Sequence, residues 1–177
     1  HQQIVAAAAQ QQADLIVVGR HGPTRLDRAW IGGTAQKVMG QAECPVLVTA
    51  GPTYEAIDPV RGITNLSSGK MGFAIARAAR EAGADVTLVA GPVGLSTPRG
   101  VRRIDVRSAR EMLGAVQAQV DGVDVFVATA AVADWRPANA ADQKIKKDGS
   151  GQTPVLRFIE NPDILATVAR SPRAQAG

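Results

Sequence analysis

The chain has 177 residues, of which 45% are apolar and only 3% aromatic, with 18 Gly, 10 Pro, one Cys and a formal charge of +4. That length holds one ordinary domain, or one domain and a fragment, and shuts out two full dinucleotide-binding domains. One cysteine excludes an internal disulfide framework and any Cys-cluster metal site, no apolar run approaches a membrane span, and a +4 charge without basic residues interleaved with aromatics gives no nucleic-acid footprint.

With so few rings, Ala, Val, Ile and Leu must fill the core, which suits parallel strands covered by small-faced helices. The start His1-Gln2-Gln3 has neither a basic segment nor a signal-like apolar core, so cytoplasm is the expected setting. The absence of Met at position 1, and a stop just after the helical run 162–170, read as a piece of something longer.

In chain order, residues 4–12 are rich in Ala and Gln and read as a helix end. Residues 14–19 are a short apolar strand, 20–33 a Gly-rich loop and 34–41 a helix. Residues 44–51 form a second buried strand, with Pro45 at its edge, and 52–68 a long polar loop containing Asp58-Pro59. Residues 71–81 carry Met71, Ile75, Ala78 and Ala79 at helical spacing, and Gly83 stops that helix. Residues 85–92 are a strand, 101–106 a strand or loop, and Ser108 opens a helix through Gln119 with Glu111 completing a capping box. Residues 123–130 are the next buried strand. After them come a basic, then flexible stretch at 144–152, a hairpin arm or strand at 154–159, and a last helix opened by Asn161-Pro162-Asp163. The order is a βαβ rhythm, so the expected fold is α/β: a Rossmann-like three-layer sandwich around a mostly parallel sheet.

In such sheets ligands sit beyond the carboxyl ends of the strands, which directs attention to residues 51–70, 91–98 and 130–144. Gly51 and Thr53 directly follow one strand. Ser67-Ser68-Gly69-Lys70 offers two hydroxyls, a Gly backbone and the unpaired amides of a helix start, a receptor for phosphate or carboxylate; taken alone it is equally an ordinary cap with a solvated Lys. It lacks the glycine spacing of a Walker loop, and Gly51-Pro52-Thr53 lacks the second and third glycines of a dinucleotide fingerprint. Ala130 and Ala131 end a strand in small residues that let a flat ring approach, and Asp134 and Trp135 follow; a capping Asp and a core-edge Trp explain them as well. Lys144 and Lys146, in Lys144-Ile145-Lys146-Lys147, could neutralise a transferred phosphoryl group or simply face water.

Read together, these strings change weight. Residues 48–55, Asp58-Pro59-Val60-Arg61 and residues 65–72 resemble the opening of the phosphopantothenoylcysteine synthetase domain of the bifunctional coenzyme A biosynthesis flavoprotein of bacteria. Residues 130–136, Lys144-Ile145-Lys146-Lys147 and Asn161-Pro162-Asp163-Ile164 are similar to its next motifs, in the same order, so the resemblance covers about residues 45–170 and breaks off before the family's later segments. It implies ligation of 4'-phosphopantothenate to L-cysteine with CTP and Mg²⁺ through an acyl-cytidylate. It also implies that Asn65 contacts that intermediate, that Lys144 stabilises charge during transfer, that Ala130 and Asp134 line the nucleotide site, and that Ser67, Ser68 and Gly69 cradle phosphate. Protein ligands for the metal are left open, as is a homo-oligomeric state.

Residues 1–48 instead resemble the final third of a universal stress protein, whose phosphate and ribose loop would fall on Gly19, Gly22 and Gly32, with Gly33 where Ser or Thr is usual. The expected division is a stress-protein-like fragment at 1–45 and a partial synthetase-like domain at 46–177, a chimera of two α/β pieces. The front strand then has no obvious place: it is displaced to a sheet edge, or pairs with another chain, or belongs to a recombinant whose front third fits imperfectly. Two other functions stay open, an NAD(P)- or flavin-binding reductase of the same fold, and a non-catalytic stress-type nucleotide-binding module or engineered chimera.

Overall fold

The computed structural model describes residues 2–11, 16–19, 45–147 and 149–175. The readings made above for the loop at 20–33, including Gly22, Gly32 and Gly33, for the helix at 34–41 and for Cys44 lie outside the described residues.

In chain order the elements are α1 (Gln2–Gln10), β1 (Ile16–Gly19), β2 (Val46–Ala50), β3 (Tyr54–Asp58), β4 (Arg61–Thr64), α2 (Lys70–Glu81), β5 (Val86–Ala90) and β6 (Arg102–Asp105). They continue with α3 (Ala109–Val120), β7 (Val125–Ala128), β8 (Trp135–Pro137), β9 (Phe158–Glu160), α4 (Ile164–Ala169) and α5 (Pro172–Gln175). The main sheet runs β1-β7-β2-β5-β6 with every pairing parallel. The expected α/β sandwich is what forms: β2 sits at the centre, all five of its residues buried, and helices cover both faces.

The two faces follow from the period-two alternation of side chains. Val46, Val48 and Ala50 point to one side, where Phe73, Ile75, Ala76 and Ala79 of α2 cover them. Leu47 points to the other, together with Val89 and Phe126, under Met112 and Val116 of α3 and Ile164 and Val168 of α4. The capping residues act as their types dictate. Ser108 Oγ accepts from Glu111 N at 3.2 Å, and the Glu111 carboxylate reaches back to Arg107 N at 2.7 Å. At the end of α2 the left-handed Gly83 (φ 101°) lets its own amide bond Arg80 O and the next one bond Ala79 O, satisfying two terminal carbonyls. Asp163 caps α4 through Ala166 N at 2.8 Å.

Three expectations need refinement. The stretch 52–68 is not simply a loop: it folds into the antiparallel β3–β4 hairpin, closed by the Asp58-Pro59 turn. Residues 102–105 are a strand rather than a loop. The front strand β1 lies at the sheet edge, against β7 rather than β2, in the register Ile16↔Val125 to Gly19↔Ala128. Of the three placements left open, the structure takes the edge, because β2 already has β5 and β7 on its two sides.

Candidate functional site

The chain leaves β2 toward β5 and β6 on one side, then returns through α3 to β7 on the other, so strand order reverses between β2 and β7. At such a reversal the loops diverge and leave a crevice beyond the carboxyl ends of the strands. Here the two strand ends remain stitched past the sheet. Thr129 N and Oγ1 both bond Thr49 O, the latter at 2.5 Å, Ala131 N bonds Gly51 O at 2.8 Å, and Thr53 N bonds Ala131 O at 3.2 Å. The buried Thr53 hydroxyl accepts from Ala133 N at 2.9 Å. Asn65, from the far end of the hairpin, donates its Nδ2 to Ala131 O at 3.0 Å.

The start of α2 packs on the same junction. Gly69, its N-cap, has φ 71° and makes no side-chain cap, while Ser67 Oγ and Ser68 Oγ accept from the next-but-one amides, Gly69 N at 3.4 Å and Lys70 N at 3.5 Å. The amides of Met71 and Gly72 find no acceptor among the described residues. A helix start in that condition is a partial positive charge facing outward. The approach of helix to sheet is close: a Cβ on Gly72 would lie 2.4 Å from Ala50 Cβ and 2.6 Å from Thr129 Oγ1.

The β3–β4 hairpin is fastened at both ends. At its base the buried Glu55 accepts from Ala109 N, the first residue of α3, at 2.8 Å, and Tyr54 lies 4.5 Å beneath the Arg107 guanidinium. The Tyr54 ring fits only because residue 62 is glycine, whose added Cβ would fall 2.3 Å from Tyr54 Cζ. At its tip the inaccessible Asp58 carboxylate receives Val60 N, Arg61 N, the Arg61 guanidinium and Ile145 N, while Arg61 Nη2 also donates to Ile145 O at 2.8 Å. The Arg61 guanidinium holds the Asp58 carboxyl well below the usual carboxylate range; burial opposes this, and the backbone donors Val60, Ile145 and Arg61 assist it. Ile145, the residue after Lys144, is thereby held at both its N–H and its C=O.

A cavity of about 880 Å³ opens at the reversal, on the α3 and α4 side of the sheet. Its wall comprises Thr49 and Ala128 at the strand ends, Ala130 and residues 132–135 after β7, and residues 160–165 from β9 into α4. The two chain stretches are joined by the β8–β9 ladder and by Asn161, which bonds Asp134 O through its backbone and Ala133 O through its side chain, both at 2.8 Å. Arg136 buttresses them from behind through Glu160 O and Asn161 Oδ1.

Of the residues singled out in the sequence, Ala130 and Asp134 line this cavity. Gly51, Thr53, Asn65 and Ala131 meet at the junction beside it, with Gly69 packed against Gly51. Ser67, Ser68 and Lys70 flank the start of α2. Lys144 and Lys146 are exposed on the loop held at the hairpin tip and are not in the cavity wall; Gly19 ends β1. Missed in the sequence were Thr49, Glu160 and residues 161–165 as cavity walls. The Asn161-Pro162-Asp163 string was visible, but its approach to Asp134 depends on the long-range β8–β9 pairing and the Asn161 bonds beside it. Among the described residues no three His, Cys, Asp or Glu side chains cluster to hold a metal, and no helix is long and apolar enough to cross a membrane.

Residues 41–176 match the family described as DNA/pantothenate metabolism flavoprotein C-terminal domain, and residues 1–50 match the universal stress protein family. The coenzyme A biosynthesis bifunctional protein CoaBC of Vibrio cholerae is 60% identical over 124 residues, covering 70% of this chain and 31% of that protein. A crystal structure of the C-terminal domain of a CoaBC protein aligns with TM-score 0.62 and 44% identity, over 72% of this chain and 59% of the other. The DNA/pantothenate metabolism flavoprotein of Streptococcus pneumoniae aligns with TM-score 0.60 and 27% identity, over 71% and 63%. The chain thus spans about a third of the length of the curated relatives it matches.

Proposed function

The chain belongs to the DNA/pantothenate metabolism flavoprotein C-terminal domain family, and from that premise we propose that it carries the nucleotide-handling core of a CTP-dependent ligase joining 4'-phosphopantothenate to L-cysteine. The observation that carries the reading is the cavity at the β2/β7 reversal, walled by Ala130, Asp134 and residues 160–165 and bordered by a junction of strand ends that includes Asn65. Small side chains at 128 and 130 leave room for a flat base, and Asp134 offers an acceptor to an exocyclic amine.

In the proposed reaction the pantothenate carboxylate attacks the α-phosphorus of CTP, forming an acyl-cytidylate and releasing pyrophosphate. The cysteine amine then displaces CMP. Anionic carboxylate and anionic triphosphate repel, so fixed donors must stand where charge gathers. The amides of Met71 and Gly72, which find no acceptor among the described residues, with Ser67 and Ser68 beside them, are suited to a phosphate; Lys144 is the cation assigned to the transferred group, and Asn65 the contact to the intermediate. Mg²⁺ would enter as an ion carried by the triphosphate, since among the described residues no three His, Cys, Asp or Glu side chains cluster into a protein cage. The division near residue 45, cytoplasm as the setting and assembly with further copies belong to the same reading.

Calorimetric titration of the chain with CTP and Mg²⁺ tests it, repeated on Lys144→Ala and Asn65→Ala, with pyrophosphate release measured in the presence of 4'-phosphopantothenate. No cytidine nucleotide binding at millimolar concentration would reduce the assignment to ancestry. Titration with ATP addresses the stress-protein reading, which the match of residues 1–50 supports.

A further inference from the structure

The outer edge of β7 requires a strand. Val125–Ala128 is apolar throughout, with Val125, Phe126 and Val127 buried, and contributes to the cores on both faces of the sheet. That is the pattern of an interior strand. At the opposite edge, β6 reads Arg-Arg-Ile-Asp, and charges of that kind guard a free edge against pairing.

Topology says which strand the seat is made for. The order β6-β5-β2-β7 is the first two-thirds of a doubly wound sheet, and α4 lies on the same face as α3. A right-handed crossover continuing from that face delivers its strand outside β7. The strand found there is β1, which comes from before the family-matched segment 41–176 and from within the stress-protein match 1–50. It fits: Ile16 N donates to Asp124 O at 2.7 Å, four residues run in register, and Val17 joins the apolar cluster of Leu47, Met112, Phe126 and Ile164.

We propose that β1 is a stand-in strand: the front segment holds, within the same chain, the seat that a doubly wound sheet reserves for a crossover continuing from α4. The seat takes one strand, so a second parallel strand is shut out while β1 is in place. The front segment thereby contributes its described strand to the sheet beside the cavity. This does not depend on which reaction the chain performs.

Amide hydrogen exchange on the full chain tests the proposal, because alternate amides of β7 face opposite neighbours. Val125 N and Thr129 N bond β2-side carbonyls, Pro45 O and Thr49 O, so the Phe126 and Ala128 amides face β1. The expected result is protection of Phe126 and Ala128 that is unchanged on dilution. It should fall at least about tenfold in Ile16→Pro, which lacks the donor to Asp124, while Val127 and Thr129 hold. Val17→Pro, whose lost N–H points away from β7, should keep the protection. Unprotected Phe126 and Ala128 amides in the unaltered chain, or retention of their protection in Ile16→Pro, would overturn the proposal. Loss of protection on dilution would overturn it in favour of a strand from a second copy. Should Ile16→Pro unfold the whole sheet, the unaltered chain and its dilution series still decide.

Discussion

Asn65 donates its side-chain amide to the carbonyl of Ala131 at 3.0 Å, joining the end of the β3–β4 hairpin to the segment that leaves β7. The acceptor keeps a second donor, Thr53 N, so truncating Asn65 removes one bond without orphaning its partner. Asn65→Ala is therefore expected to cost about 0.5–1.5 kcal/mol in a chemical denaturation curve. If Asn65 also touches the acyl-cytidylate, pyrophosphate release should fall far more than that loss of stability explains. Equal activity in variant and parent would remove Asn65 from the site.

Gly72 faces Ala50 and Thr129 with no room for a methyl group. Gly72→Ala gains up to about 1 kcal/mol of helix propensity but overpacks the α2–β2 contact by about 1–3 kcal/mol. The net expectation is destabilisation, read as a lower urea midpoint with an unchanged slope. A raised midpoint would mean that the helix shifts freely on the sheet.

Asp58 should hold the loop at 141–147 across the whole neutral and mildly acidic range. Its carboxyl is depressed in the folded chain, so the stabilisation is present above the ordinary carboxylate range and is lost only as pH falls through the lowered folded value. The Ile145 amide, which donates to Asp58 Oδ2, should stay protected from exchange at pH 4 and lose protection only in stronger acid. Asp58→Asn should expose it at pH 7. Trypsin should then cleave the variant sooner after Lys144, Lys146 or Lys147. Titration of the Ile145 protection near pH 4 would contradict the Arg61 pairing.

Filling the cavity from its floor should separate binding from folding. Ala130 lines the wall and is only partly buried, at the rim of the apolar cluster, so Ala130→Leu adds bulk where that cluster borders the space. CTP affinity is expected to drop about tenfold or more, about 1.4 kcal/mol, with thermal stability little changed. Undiminished affinity would move the nucleotide elsewhere.

Protection should be graded across the main sheet. Val86–Ala90 has a strand on both sides, whereas β1 has only β7, so exchange across Ile16–Gly19 should be faster than across Val86–Ala90. Equal, cooperative protection would show that the front strand is as firmly built in as the centre.

The central strands were legible because apolar runs of four or five residues bounded by Gly, Pro or Asp have few other uses, and α3 announced itself through Ser108 and Glu111. The hairpin was hidden by its own chemistry. Tyr54–Asp58 buries Glu55 and Asp58, so its inward residues look like outward ones until Ala109 N and Arg61 are seen to satisfy them. The place of β1 depends on pairing with residues more than a hundred positions later, which local pattern cannot encode. The cavity was half visible: Ala130 and Asp134 follow a strand, as ligand-facing residues do, but Glu160 and Asn161 reach them through the β8–β9 ladder and the bonds of Asn161 to Ala133 and Asp134.

Tyr54 and Gly62 share one volume on neighbouring strands: the ring occupies the space that any side chain at 62 would need. A side chain at 62 is therefore compatible with a small residue at 54 but not with the tyrosine ring in its present place. Either one may be large, but enlarging both would prise the hairpin open and loosen its hold on Asn65 and on the Lys144 loop together, so drift at two residues outside the cavity wall can retune the site without altering any group that lines it.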